Sequence, residues 1–201
     1  MGVQRHLPSS STIRRSVQRQ RQAANRQSAL SHGGAASGAT RETMTFPSTI
    51  TTVRGEPFLL RDTGASANRI VVFGSRSLLE SMREHPNIVA NGTFKSAPKG
   101  FFQLFTIHMF ISFRQNGRRI VRSVPVIYAL LPDKTVDTYQ RLFQIMKELL
   151  PGFSPETWIC DFERAIRTAL MNVFPLCQVA GCFFHFMQNI LKKVYEKQVK
   201  V

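Results

Sequence analysis

Acidic residues and cysteines are the scarce classes in this chain, and each shortage narrows what it can be. Only 12 Asp and Glu stand against 27 Lys and Arg in 201 residues, a formal net charge of +15. A balance of that kind attracts phosphate backbones without reading their sequence. Basic surfaces also occur on proteins that never touch nucleic acid; the nucleic-acid reading is the preferred one. The three cysteines, Cys160, Cys177 and Cys182, are odd in number and have apolar neighbours. That argues against a disulfide framework and for a reducing compartment. No apolar run reaches the ~18 residues that a membrane span needs. The first residues are polar and Arg-rich, so no secretory signal is expected. Phosphate-loop, dinucleotide-binding and serine-elbow glycine patterns are absent as well.

What is present suits a globular core, since 43% of the residues are hydrophobic. Residues 1–45 hold seven arginines and one acid, for a charge of +6, with almost no large apolar side chain. Such a segment buries too little surface to offset its ordering entropy and is expected to be a disordered basic tail. Arg14 to Arg26 fits a nuclear-targeting or DNA-touching arm, and a solvated tail or a mis-started gene model fits equally well. The remainder carries +9, so the basic excess extends beyond the tail.

The spacing predicts lead-in strands and a short helix over 46–86. Phe58-Leu59-Leu60 and Ile70 to Phe73 read as strands, and Ser75 as the cap of a helix over Arg76 to Glu84. A strand over Asn87 to Phe94 presents Asn91 near its middle. Phe101 to Phe113 is almost continuously apolar, as in a strand covered on both faces. Asn116-Gly117 marks a hairpin into a strand over Arg119 to Leu131. Tyr139, Leu142, Phe143, Met146 and Leu150 then share one helical face. A strand at Thr157 to Cys160, a helical stripe from Phe162 to Val173 and a strand near Cys177 to Ala180 follow. In the last helix Met187, Ile190, Leu191 and Val194 are expected inward. The order β-β-β-α-β-α-β-α describes an α/β fold, a mixed sheet with helices on both faces.

Asp161 closes a strand just ahead of a helix, where open α/β sheets gather ligands and catalytic groups. Taken alone it is more simply a helix cap. With Asn91 beside it on a neighbouring strand, a metal-binding role gains weight. Cys182 and His185 have C-x-x-H spacing, but two ligands do not make a structural zinc site. Cys160 and Cys177 could complete one, although Cys160 is expected to point into the core. His185 could instead orient a neighbour or meet a phosphate. His108 and Trp158 read as core residues, and Gly92 as a point of close backbone approach.

Asn91-Gly92-Thr93-Phe94-Lys95, Gln103 to His108, Val124 to Leu131, Trp158 to Ala165 and Gly181 to Phe186 together resemble the core of a Mutator-like element (MULE) transposase domain. The lead-in around Phe58 to Asp62 and Arg69 to Gly74 is similar to that of members that also carry a FLYWCH-type zinc finger, although no such finger pattern is present. The resemblance covers residues 56–201. It implies a ribonuclease H-like fold and a DNA transposase using an Asp-Asp-Glu triad with Mg²⁺ or Mn²⁺. It also implies DNA as partner, with self-association, and a nuclear location. By position Asp161 matches the second, metal-binding acid, and Cys182 and His185 match the family's C-x-x-H element. Asn91 stands where the first Asp is expected, and the third acid, a Glu, is expected beyond Val201. The transposase-like domain over 87–201 is thus read as C-terminally incomplete, a remnant or fragment. The implied activity is therefore expected to be impaired. A domesticated, non-catalytic nucleic-acid-binding module is the alternative.

Overall fold

Short apolar β-branched runs separated by Gly, Pro and polar turns set the strands of this fold. The computed structural model describes residues 40–198, with residue 54 excepted. A helical turn, α1 (Ser48–Thr51), leads into a two-stranded ribbon of β1 (Thr52–Val53) and β2 (Glu56–Pro57). The main sheet then collects β3 (Leu59–Asp62) and β4 (Val71–Gly74). After α2 (Arg76–Ser81) and a 3₁₀ turn at Met82–Glu84 come β5 (Asn87–Thr93), β6 (Gln103–Gln115) and β7 (Arg118–Leu131). The rest alternates: α3 (Val136–Leu149), β8 (Thr157–Cys160), α4 (Arg164–Val173), β9 (Gln178–Gly181) and α5 (Phe183–Gln198).

The seven strands lie in the order β3-β4-β7-β6-β5-β8-β9. From β3 to β5 every neighbour is antiparallel. β8 and β9 add on in parallel. The lead-in strands therefore belong to the same sheet as the rest. Turn chemistry explains the longest hairpin: Asn116 (φ 51°) and Gly117 (φ 74°) both adopt the left-handed region that a two-residue I′ turn demands. Thr135 caps α3, its side chain accepting from the Thr138 amide. Ser75 holds the cap position of α2 but makes no capping bond.

One face of the sheet carries the main core. Ile70, Val72, Ile88, Phe105 and Ile107 meet Leu79 of α2, Tyr139, Leu142 and Phe143 of α3, and Ile166, Ala169 and Leu170 of α4. Each large side chain buried there contributes about 1.5–3 kcal/mol relative to exposure. On the other face Val71, Phe73, Phe101 and Leu130 pack under Met44, Phe46 and Phe58, which are loop residues. Helices α2, α3 and α4 all join the core of the first face. Phe101 to Phe113 is not covered on both faces, contrary to expectation. Gln103, Phe105, Ile107 and Met109 are buried, whereas the alternate residues are half-buried and the far end of the strand is exposed.

Residues 1–39 of the expected basic tail lie outside the described residues. Residues 40–45 of that stretch are tied to the folded unit. Arg69, almost fully buried, donates to the Arg41 and Met44 carbonyls at 2.8 Å each, and Arg41 Nε donates to the Gly100 carbonyl at 2.7 Å. The last helix also departs from expectation: Met187, Ile190, Leu191 and Val194 are between 39% and 50% exposed. Phe162 precedes α4 rather than joining its stripe, and its ring packs near Phe186 at 6.2 Å.

Candidate functional site

The parallel pairing of β5 and β8 brings the two singled-out polar residues together. Asn87 is opposite Thr157, Ile88 opposite Trp158 and Val89 opposite Ile159. Asn91 on β5 and Asp161, the residue after β8, lie two residues beyond the last pair, at the same end of the two strands. Burial alternates in step on the two strands. Ile88, Ala90, Trp158 and Cys160 face the core, while Val89 and Ile159 are half-buried. Asn91 follows Val89 and Asp161 follows Ile159 on the more open face. Across β6, Thr106 is Asn91's partner and donates its hydroxyl to the Asn91 carbonyl at 3.2 Å.

Asp161 Oδ1 accepts from the Phe162 amide at 2.7 Å and lies 4.0 Å from His185 Nδ1. Helix α4 begins only at Arg164, with Glu163 at its cap position. The simpler reading of Asp161 as a helix cap is thus corrected: its carboxylate is engaged ahead of the helix. Cys182 and His185 approach the same strand end from α5. The Cys182 amide donates to the Cys160 carbonyl at 2.8 Å, and the Phe186 amide to the Cys182 carbonyl at 3.1 Å. Cys182 therefore secures the helix start through its main chain, and His185 reaches Asp161 through its ring. A four-ligand zinc site finds no support. Cys160 is fully buried in the core, burial pushes the Cys160 and Cys177 thiols up to about 11 each, and among the described residues no three His, Cys, Asp or Glu side chains are grouped to hold a metal ion.

Three residues complete the polar surroundings, and the sequence had not flagged them as site residues. Gln103, buried, donates from Nε2 to the Tyr139 hydroxyl at 2.8 Å and to the Asp133 carbonyl at 3.2 Å. Tyr139 is itself buried, and burial holds its hydroxyl well above the ordinary range. Glu163 is near enough to Tyr139 to share a hydrogen bond. Burial pushes the Glu163 carboxyl up, the Asp161 charge pushes the same way, and Lys134 and the Tyr139 bond oppose them. A polar chain thus runs from Gln103 through Tyr139 to Glu163, whose carboxyl feels the Asp161 charge. The available signal was a glutamine inside the otherwise apolar run Phe101 to Phe105. Gly92 serves close approach by a side chain, not by backbone: a Cβ there would stand 2.4 Å from Gln103 Oε1. His108 is half-buried on β6, its Nδ1 3.1 Å from Ser123 Oγ, and burial lowers its pKa.

The donors at this site are one carboxylate from Asp161, the amide of Asn91, the His185 ring and, behind them, Glu163. A two-cation centre needs anionic ligands between and around its ions. Among the described residues no three His, Cys, Asp or Glu side chains are grouped closely enough to hold a metal ion. The residues present do not fit such a centre. No helix among the described residues is long and apolar enough to cross a membrane.

Comparison with known proteins places these residues in a family context. The family described as the MULE transposase domain matches residues 88–189, a span that includes Asn91, Asp161, Cys182 and His185. The transposase for insertion sequence element IS1201 of Lactobacillus helveticus is 24% identical over 108 residues, 53% of this chain and 28% of that protein. The chain thus matches well under a third of that relative's length.

Proposed function

Since the chain belongs to the MULE transposase domain family, we propose that it is the core of a DNA transposase, built on a ribonuclease H-like fold and catalytically impaired. The strand order β7-β6-β5-β8-β9, an antiparallel meander extended by two parallel strands, supports that fold. The reaction of such an enzyme is metal-dependent cleavage and strand transfer of DNA. The partner follows from charge: the part after the tail still carries +9. Nuclear residence and self-association accompany this reading.

One observation carries the impairment: β5 and β8 pair in parallel, and Asn91 and Asp161 lie two residues past their last pair, Val89 and Ile159. The neutral amide removes a negative charge from the position where the family's first Asp is expected. DNA binding does not need that charge and is retained. The same observation favours the second reading, a domesticated module that binds nucleic acid and no longer cuts it.

The test is a nicking and strand-transfer assay of the purified chain on plasmid DNA with Mg²⁺ or Mn²⁺, with Asp161→Ala as background. Expected is duplex binding that weakens steeply with salt and no cleavage above background. Cleavage above background overturns the impairment, and absence of duplex binding at low salt overturns the DNA reading.

A further inference from the structure

β6 and β7 outrun the rest of the sheet. β5 leaves β6 at Ile88 opposite Met109, and β4 leaves β7 at Gly74 opposite Ile127. From Phe110 opposite Ser123 to Gln115 opposite Arg118, the two strands pair only with each other. At ~3.4 Å per residue this makes a free ribbon roughly 20 Å long, closed by the tight Asn116-Gly117 turn.

The ribbon is built for an anionic partner. Residues 110–123 contain Arg114, Arg118, Arg119 and Arg122 and no acid. All four arginines are exposed, and among the described residues none is paired with a carboxylate. Arg114 lies directly opposite Arg119, a like-charge pairing that disfavours the ribbon unless a counter-charge is supplied. Alternation along the strands puts Arg114 and Arg119 on one face and Arg118 and Arg122 on the other. The Arg122 guanidinium lies 5.5 Å from the centre of the Phe113 ring, which holds it extended along the ribbon.

We propose that this hairpin is a DNA-docking element that enters the major groove of duplex DNA and takes a phosphate backbone on each face. A two-stranded ribbon fits a groove about 12 Å wide. Arginines on both faces match two phosphate walls, whereas a membrane surface or an acidic helix offers its charge from one side. The proposal rests on the DNA-transposase reading and deepens it by naming where the duplex sits. The tip is at the far end of β6 from Asn91. Eight residues separate Arg114 from Thr106, the partner of Asn91, about 27 Å of strand. A duplex touching both ends therefore needs about eight base pairs or more at 3.4 Å each.

The test compares the full chain with a variant carrying Arg114→Gln, Arg118→Gln, Arg119→Gln and Arg122→Gln, and with the corresponding four Arg→Lys changes. A control carries Arg76→Gln and Lys147→Gln, exposed positions away from the hairpin. Binding of a 30-base-pair duplex is read by fluorescence anisotropy across a salt series. Expected is a ten- to hundredfold loss of affinity in the Gln variant, with the slope of log K against log salt shallower by roughly 0.9 per lost phosphate contact. The Lys variant and the control should keep most of the slope, with circular dichroism unchanged in all. Wild-type affinity and slope in a folded Gln variant overturn the hairpin assignment and leave the DNA reading standing. If the unmodified chain binds no duplex at low salt, the DNA reading itself fails. Asn116→Cys carrying a photo-crosslinker gives an answer independent of folding: the tip should crosslink to duplex DNA, and crosslinking no stronger than from a label on α3 overturns the proposal.

Discussion

Gly92 and Gln103 fit only as a pair: a Cβ on residue 92 would stand 2.4 Å from the Gln103 side-chain oxygen, which is buried and cannot swing into solvent. Gly92→Ala must therefore push Gln103 off Tyr139 and off the Asp133 carbonyl. The expected cost is about 1–3 kcal/mol, the range for a buried polar group that loses its partner. In a Gln103→Ala background the same change should cost far less. Denaturant midpoints of the four proteins in this cycle measure the coupling, and strict additivity would show that the two side chains do not compete.

Trp158 is fully buried on β8, with Phe143 edge-on at 5.1 Å and Phe174 stacked at 6.1 Å. Trp158→Ala should cost about 3–5 kcal/mol, enough to loosen the strand that leads to Asp161. The indole nitrogen has no hydrogen-bond partner among the described residues. Trp158→Phe therefore removes volume without orphaning an acceptor, and it should cost clearly less than the alanine. Equal midpoints for the two variants would place the indole outside the packed core.

Acid should unfold the chain partly through Asp62. Arg69 grips it with two bonds, Nε to Oδ1 at 2.9 Å and Nη2 to Oδ2 at 2.5 Å. That hydrogen bonding holds the Asp62 carboxyl below its ordinary value against the opposing effect of burial. A depressed carboxylate contributes stability that is present above its unfolded pKa, roughly 3.9, and is lost as pH falls through its lower folded value. Asp62→Asn should lower the midpoint at pH 7 and flatten its fall below pH 4. A wild-type acid profile in that variant would assign the acid sensitivity to other groups.

Where a side chain answers only to its own strand or helix, the sequence was enough to place it. Trp158 and Cys160 were legible as core residues of their strand, and Asn116-Gly117 as the hairpin turn. That Asn91 and Asp161 lie towards one end of neighbouring strands was legible as an order of elements, because β8 inserted beside β5 is what closes the gap. Gln103 with Tyr139 was not legible, since a single glutamine in an apolar run does not say which helix will meet it. The apolar side chains of α5 misled for the same reason: a helical stripe specifies a face but not what covers it. Nor does Asp161 cap α4, because the helix starts three residues later, a boundary that local propensity does not fix.

Asn91→Asp should change stability before it changes chemistry. It adds a second carboxylate at the strand end that carries Asp161, whose charge, together with burial, already pushes the Glu163 carboxyl up. Two like charges about 4 Å apart cost roughly 1 kcal/mol in water and more as water is excluded. For a chain of this size that corresponds to a melting temperature lower by about 2–4 °C without divalent ions. Millimolar Mg²⁺ or Mn²⁺ should recover the loss in the variant and shift the unmodified chain much less, because a second anionic ligand is what a hard cation needs. The cleavage assay should stay at background, since no residue of the chain matches the third acid. An Asn91→Asp protein that melts like the parent and ignores millimolar Mn²⁺ would show that residues 91 and 161 do not share a site. That result would remove the structural basis for reading Asn91 as the altered acid.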